Sequence, residues 1–406
     1  SKGYMLRGAP GQVAYAKSVV PSQIDRLAVS DLAYSDFAGQ GLFYLAQTDW
    51  NAGIKSERMW RDDAKFYYST NIDAYSQQGA IKLELELSSN NDFAENILCG
   101  CIGSADITDQ YVGCEDDGSG NVKIYEYTTV TSAWNDIAGT DFNTSQNLCS
   151  GLVPHKGLVY ALTVGSGNAD VVASWNGSAW TDHSAAIIAA ITGANLAAAR
   201  AFTELAGTLY VGCDKQISAD DTYIVSTADN GTTWAEELYL NIEGTIIAMQ
   251  AFESKCYYLL STGSLLELYV YDPVGSTNVL VRQFPGTIVT TWGNNDLLTL
   301  LGGKLIITVP TDSIYDFDGI TINKIFTRDA AKTAIGNLAD AYLSKAPVFY
   351  NDRLIWGNLV YDGEYFYNWR RPNGDATDKY LYPLFVTSAN KLYSLDTTDS
   401  SVLWEN

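Results

Sequence analysis

The sequence is poor in positive charge, proline, methionine and histidine. Against 47 Asp and Glu stand only 25 Lys and Arg, a formal net charge of −22. An acidic surface of this kind repels phosphate backbones and anionic lipid headgroups, so nucleic acid and membrane surfaces are excluded as partners. The acidity reads first as a device for solubility, with cation binding as the sharper alternative. No run of eighteen apolar residues occurs, so no segment has the length of a membrane-spanning helix. The start, Ser1-Lys2-Gly3-Tyr4-Met5, does not read as a secretory signal, and it leaves export open. With 2 His in the chain, His155 and His183, and no C-x-x-C pair, a Cys/His zinc site does not fit.

Six cysteines are present: Cys99, Cys101, Cys114, Cys149, Cys213 and Cys256. Cys99 and Cys101 lie two apart, on one face of a strand, where they cannot easily bond to each other. The expected state is buried free thiols, packed as small apolar side chains in a chain folded under reducing conditions. Sequons at Asn143, Asn176 and Asn230 fall in polar, glycine-rich stretches where such triplets arise by chance, and glycosylation is not inferred from them.

What is abundant is apolar and aromatic. Hydrophobic residues make up 47% and charged residues 18%, the reverse of a disordered chain. There are 27 Tyr, 10 Trp and 34 Gly against 9 Pro, which fits a β-rich globular protein.

A short pattern recurs along the chain: a turn residue, a basic or small residue, then two or three apolar or aromatic ones. It appears as Gly157-Leu158-Val159-Tyr160, Gly207-Thr208-Leu209-Tyr210, Lys255-Cys256-Tyr257, Gly303-Lys304-Leu305-Ile306, Asp352-Arg353-Leu354-Ile355 and Asn390-Lys391-Leu392-Tyr393. An earlier copy, Tyr111-Val112-Gly113-Cys114, mirrors Tyr210-Val211-Gly212-Cys213. The anchors 111, 160, 210, 257, 306, 355 and 393 are spaced by 49, 50, 47, 49, 49 and 38 residues. A period of roughly 40–50 residues, filled with strands and turns, is that of propeller blades. The fold class expected is all-β, a seven-bladed β-propeller, with six or eight as the neighbouring counts. The alternating run Ala80–Leu87 is expected to return and complete the last blade, so that an N-terminal strand closes the ring. The Ala-rich segment Ser184–Ala206 favours helix locally, but the register assigns Ala199–Ala206 to an innermost strand.

Residues 1–78 fall outside the period and form an N-terminal extension or docking arm, with the β-propeller over 79–406. The arm carries Phe43, Tyr44, Trp50, Trp60, Phe66, Tyr67 and Tyr68, too many aromatics for a disordered tail.

The strongest local motif is Thr227-Ala228-Asp229-Asn230-Gly231-Thr232-Thr233-Trp234. It resembles the Asp-box, S/T-x-D-x-G-x-T-W, of sialidase-like propellers. Physically it is a hairpin in which Asp caps the turn, Gly takes a positive φ and Trp packs between blades. Asn176-Gly177-Ser178-Ala179-Trp180, Asp318-Gly319 and Asp362-Gly363 are related turns. The resemblance implies a structural rim element and not an active site. A sialidase would need three arginines around a substrate carboxylate, and Arg200, Arg282, Arg328, Arg353, Arg370 and Arg371 do not recur at one blade position.

G-x-S-x-G, H-E-x-x-H and P-loop motifs are absent. His155, after Pro154 beside a tight turn, reads as a solvated turn residue. Two acidic loops, Glu115–Asn121 and Asp312/Asp316/Asp318, could gather oxygens for Ca²⁺, but neither has the EF-hand spacing, and ordinary acidic turns are the simpler reading. No catalytic or cofactor-binding residue is assigned, no cofactor is expected, and a metal site is left open.

The N-terminal stretch includes Asp36-Phe37-Ala38-Gly39-Gln40-Gly41, Asp49-Trp50-Asn51-Ala52-Gly53 and Arg61–Tyr68. Followed by Tyr- and Trp-rich repeats, it resembles virion-associated propeller proteins of tailed bacteriophages. That resemblance implies a non-enzymatic structural protein located in the virion. Its partners would be other virion proteins and further copies of itself, and a host-surface glycan is a further candidate. The rival readings are a carbohydrate-binding adhesin and a glycan-cleaving hydrolase on the same scaffold.

Overall fold

The architecture is that of a computed structural model. It describes residues 2–7, 42–47, 72–73, 82–83, 88–103, 110–128, 132–139, 146–165, 171–191, 196–215, 221–242, 244–262, 265–285, 297–310, 312–327, 347–356, 359–363, 366–368, 381–387, 391–396 and 400–405. The chain divides into two compact units, Ser1–Leu83 and Glu84–Asn406.

In the first unit, β1 (Lys2–Arg7) pairs antiparallel with β2 (Leu42–Gln47), from Lys2 opposite Gln47 to Arg7 opposite Leu42. β3 (Ile72–Asp73) pairs with β4 (Lys82–Leu83). Phe43 and Tyr44 lie on β2, while Trp50, Trp60, Phe66, Tyr67 and Tyr68 lie outside the described residues.

The second unit is all-β apart from one short helix, and its described strands form antiparallel sets of four, the first three of them joined into one 12-stranded sheet by the single pairs Leu148–Glu115 and Val164–Ala198. It opens with β5 (Ser88–Asp92). The first set is β6 (Ile97–Ile102), β7 (Gln110–Asp116), β8 (Val122–Thr128) and β9 (Ala133–Asp136). The second is β10 (Gln146–His155), β11 (Leu158–Gly165), β12 (Val172–Trp175) and β13 (Trp180–Asp182). After helix α1 (Ser184–Ala190) comes the third: β14 (Leu196–Leu205), β15 (Thr208–Lys215), β16 (Asp221–Thr227) and β17 (Ala235–Asn241). The fourth is β18 (Thr245–Phe252), β19 (Lys255–Thr262), β20 (Leu265–Asp272) and β21 (Thr277–Pro285). The fifth is β22 (Leu298–Leu301), β23 (Lys304–Val309), β24 (Ser313–Phe317) and β25 (Ile322–Thr327). The sixth is β26 (Val348–Tyr350), β27 (Arg353–Trp356), β28 (Leu359–Tyr361) and β29 (Phe366–Asn368). The last is β30 (Leu381–Val386), β31 (Leu392–Asp396) and β32 (Val402–Glu405), with β5 as its fourth strand.

Every repeat anchor falls on the second strand of its set: Tyr111, Tyr160, Tyr210, Tyr257, Ile306, Ile355 and Tyr393 lie on β7, β11, β15, β19, β23, β27 and β31. Local chemistry explains the recurrence. Five sets open with a two-residue hairpin whose central residues both have positive φ: Lys156-Gly157, Ala206-Gly207, Glu253-Ser254, Gly302-Gly303 and Asn351-Asp352. This is the type I′ turn, whose twist matches that of paired strands. The first strand also bulges in a repeated place. The register shifts at Leu98, Ser150, Arg200, Ile247 and Leu384. A bulge of this kind bends the strand and re-aims a side chain. Ser150 uses it to place its hydroxyl between the Leu162 carbonyl, at 3.0 Å, and the carbonyl of Ala199 in the next set, either of which can accept its proton.

One expectation is corrected here and one is borne out. The strand that pairs with β32 is Ser88–Asp92, not Ala80–Leu87, and Lys82–Leu83 pair instead with Ile72–Asp73. Alternation marked a strand-forming stretch, but partner choice rests on side-chain bonds that alternation does not encode. Asn90 on β5 donates to Glu405 at 2.9 Å and accepts from the Trp134 indole at 2.8 Å. The Ala-rich segment divides: Ser184–Ala190 is helical, with Ile187 buried, and Leu196–Leu205 is strand. Ala199 and Ala201 are fully buried between neighbouring sheets, where tertiary packing outweighs alanine's helix propensity.

The core lies between sheets. Cys99, Tyr111 and Ile124 of the first set pack with Leu152, Val159 and Trp175 of the second. Similar clusters join the second set to the third, the third to the fourth, the fourth to the fifth and the fifth to the sixth. β26 and β27 of the sixth set contact β30. Leu384, Tyr393 and Leu403 of the last set pack with Ile97 and Val112 of the first. Indoles reinforce the same borders: Trp175 donates to Glu126 at 3.2 Å, Trp180 to the Ile137 carbonyl at 2.8 Å, and Trp356 to Thr308 at 3.2 Å.

Candidate functional site

First strands from six of the sets face a cavity of about 340 Å³. Its walls are mostly apolar and include Cys99, Cys101, Leu152, Phe202, Phe349 and Phe385. Gly100 and Gly151 lie on it as well, and a Cβ at Gly100 would stand 2.7 Å from the Phe385 ring. Phe349 is exposed and the remaining named side chains are mostly buried. An apolar cavity can hold an apolar group, and the described lining residues include no His, Asp, Glu, Lys or Arg. Sequence reasoning missed the cavity. The signal was a first strand with small residues (Gly100, Gly151, Ala199) close to bulky ones, legible only once the sets are known to face a common space.

The Thr227–Trp234 turn is built as its chemistry predicts. Asp229 accepts from the Thr233 backbone N–H at 2.8 Å and from the Thr233 hydroxyl at 2.7 Å. Gly231, at φ +79°, donates to the Thr227 hydroxyl at 2.9 Å. Trp234 packs onto the core shared by the second and third sets. These bonds hold the Asp229 carboxyl below the usual carboxylate range, the Thr233 hydroxyl contributing most. Asn176 and Asp318 cap their turns in the same way, accepting backbone N–H groups at 2.7–2.9 Å. Asp272 does so too, from Val274 and Gly275, a relation that sequence reasoning did not pick out.

His155 is buried, which corrects its reading as a solvated turn residue. The position before a type I′ turn faces the neighbouring set, and Nδ1 meets Glu204 there at 2.9 Å. His183 is buried as well. Its Nε2 lies 2.8 Å from the Ser174 hydroxyl, and its ring stacks on Tyr160. Desolvation pulls its pKa below the usual histidine value.

Arg200, Arg282 and Arg353 engage separate neighbours. Arg200 meets Asp214 at 3.2 Å, Arg282 lies over the rings of Phe284 and Tyr315, and Arg353 donates to the Asn351 carbonyl at 2.9 Å. Arg328, Arg370 and Arg371 lie outside the described residues. The acidic loops likewise disperse. Asp312 bonds Lys324 at 2.7 Å and Tyr315, Asp316 pairs with Lys304, and Asp318 caps its own turn. In the other loop, Asp116 and Asp117 accept backbone N–H groups of Gly120 and Ser119, and Glu115 accepts from Asn96. Among the described residues no group of three or more His, Cys, Asp or Glu is placed to hold a metal ion. Asn176 and Asn230 sit in exposed turns, and Asn143 lies outside the described residues.

No protein-family model matches the chain, and no curated protein matches it. In structure it is similar to β-propeller proteins. One is Ycf48 bound to a D1 peptide, at 11% identity and TM-score 0.48, over 79% of this chain and 95% of that one. Another is a chain of a nidogen–laminin complex, at 12% identity and TM-score 0.38, over 57% of this chain and 81% of that one. These values concern fold, and neither bears on what this chain binds.

Proposed function

We propose that the protein is a seven-bladed β-propeller closed by β5, and that it serves as a non-enzymatic structural component of a bacteriophage particle, assembling through residues 1–78. The seven sets of four strands among the described residues support the blade count, and the neighbour-to-neighbour packing from first to last set supports a ring. The virion assignment rests on the resemblance of the arm and the Tyr/Trp-rich repeats.

One observation carries the scaffold reading: phenols and carboxylates bond to each other. Tyr111 donates to Glu126 at 2.7 Å, Tyr271 to Glu237 at 2.8 Å, Tyr393 to Glu405 at 2.8 Å and Tyr239 to Asp221 at 2.7 Å. The Tyr271–Glu237 bond links the fourth set to the third. Burial first, and then the carboxylate partner, push the Tyr271 and Tyr393 phenols up, so they stay protonated donors. The four phenols and four carboxylates of these pairs hold strands together.

The test is solution mass by light scattering for the full chain and for a variant beginning at Gly79, which retains β5. A defined oligomer that becomes a monomer on truncation supports the arm as an assembly device. Monomers in both cases sink self-assembly through the arm.

A further inference from the structure

Cys99 on β6 and Cys149 on β10 bring their sulfurs to 3.6 Å across the border of the first two sets. No other cysteine pair among the described residues shares such a contact. Both thiols are free and buried. Their pocket is built around a missing side chain. A Cβ at Gly113, on the strand beside β6, would stand 2.5 Å from the Cys149 sulfur and 2.8 Å from the Cys99 sulfur. Cys99 Sγ also lies 3.6 Å from the Cys149 carbonyl oxygen, and Cys149 Sγ lies 3.5 Å from that of Gly151. Cys99 is among the residues that line the cavity described above, and Cys149 is not.

We propose that Cys99 and Cys149 form an oxidative modification site, a dithiol that closes to a disulfide linking the first two sheets when a peroxide-class oxidant enters the central cavity. The Cys99 thiolate attacks the peroxide, the O–O bond breaks, and a sulfenic acid and one water result. The Cys149 sulfur then attacks the sulfenic sulfur, the S–OH bond breaks, and a second water leaves. Two thiols lose two hydrogens and one peroxide becomes two waters. The sulfurs must close from 3.6 Å to about 2.05 Å, which draws the two first strands together. Burial pushes the Cys99 thiol well up, so the reaction is slow near neutral pH and faster in alkali.

The test treats the full chain with hydrogen peroxide at pH 8, alkylates it under denaturing, non-reducing conditions, and maps peptides by mass spectrometry. The expected product has no disulfide between chains, has lost two of its six thiols, and contains a peptide linked through Cys99 and Cys149. Closing a loop of 50 residues raises its unfolding temperature by roughly 5 °C, reversibly with a dithiol reductant. Cys101→Ala keeps the link, and Cys149→Ala abolishes it and leaves a dimedone-reactive Cys99. A link through Cys101 or Cys114, or six intact thiols in the folded chain under conditions that oxidise the denatured one, overturns the proposal.

Discussion

The imidazole of His183 occupies the space that a side chain on Gly231 would need: a Cβ there would stand 2.5 Å from His183 Cε1 and 2.7 Å from Nδ1. A turn of the third set is thus seated on the chain leaving the second. Gly231 also has φ +79°, where an L side chain is strained. Gly231→Ala is expected to destabilise the second unit by about 2–4 kcal/mol, the sum of backbone strain and overpacking. Denaturant unfolding measures it, and a change within error would show that the His183 ring moves aside at no cost.

Gly113 separates packing from backbone strain, because its φ lies outside the positive range. Gly113→Ala is expected to cost about 1–3 kcal/mol by crowding Cys99 and Cys149. Gly113→Ala combined with Cys149→Ala should recover part of that loss in the same unfolding measurement. If the double variant is no more stable than the single one, the Cys149 sulfur is not the group being crowded.

The border between the last and first sets depends on Asn90. Its side chain donates to Glu405 at 2.9 Å and accepts from Trp134 at 2.8 Å, so one residue of β5 ties β32 to β9. Asn90→Ala removes both bonds and leaves the indole N–H without that acceptor, at about 1–3 kcal/mol. Hydrogen exchange should accelerate first in Val402–Glu405. Uniform acceleration across all sets would argue against a local seam.

These sites mark how far the sequence could be read. The anchors were legible because each second strand begins after a turn with strong residue demands, as at Gly157, Gly207 and Gly303. The Asp229 turn was legible because its bonds are local, within four residues. His155, the β5 pairing and the Cys99–Cys149 contact were not, because each is fixed by a partner about 50 or more residues away. Trp134, Trp175 and Trp180 were visible as aromatic residues of outer hairpins, but their acceptors, Asn90, Glu126 and the Ile137 carbonyl, were not. A repeat period fixes which strand follows which. It says nothing of which polar atoms meet between repeats.

Asp214 supplies the pH prediction. Burial pushes its carboxyl up to about 6, while Arg200 at 3.2 Å and Thr245 pull the other way. An unfolded Asp titrates near 3.9. The folded state therefore holds this proton more tightly than the unfolded state. The group's contribution to stability is full below about pH 4 and is lost as pH rises through about 6. His183 has the opposite sign: its lowered pKa stabilises the fold above the ordinary histidine value and is lost on acidification. The two overlap, so a stability curve alone does not isolate either. Carbon-detected NMR of the Asp214 carboxyl does, with an expected midpoint near 6 in the folded chain. Arg200→Met should move that midpoint higher, because the guanidinium favours the charged carboxylate. A wild-type midpoint near 4 would mean that water reaches Asp214 and that burial does not govern it. A midpoint that falls in Arg200→Met would instead mean that the arginine shields the carboxyl from solvent more than it stabilises its charge.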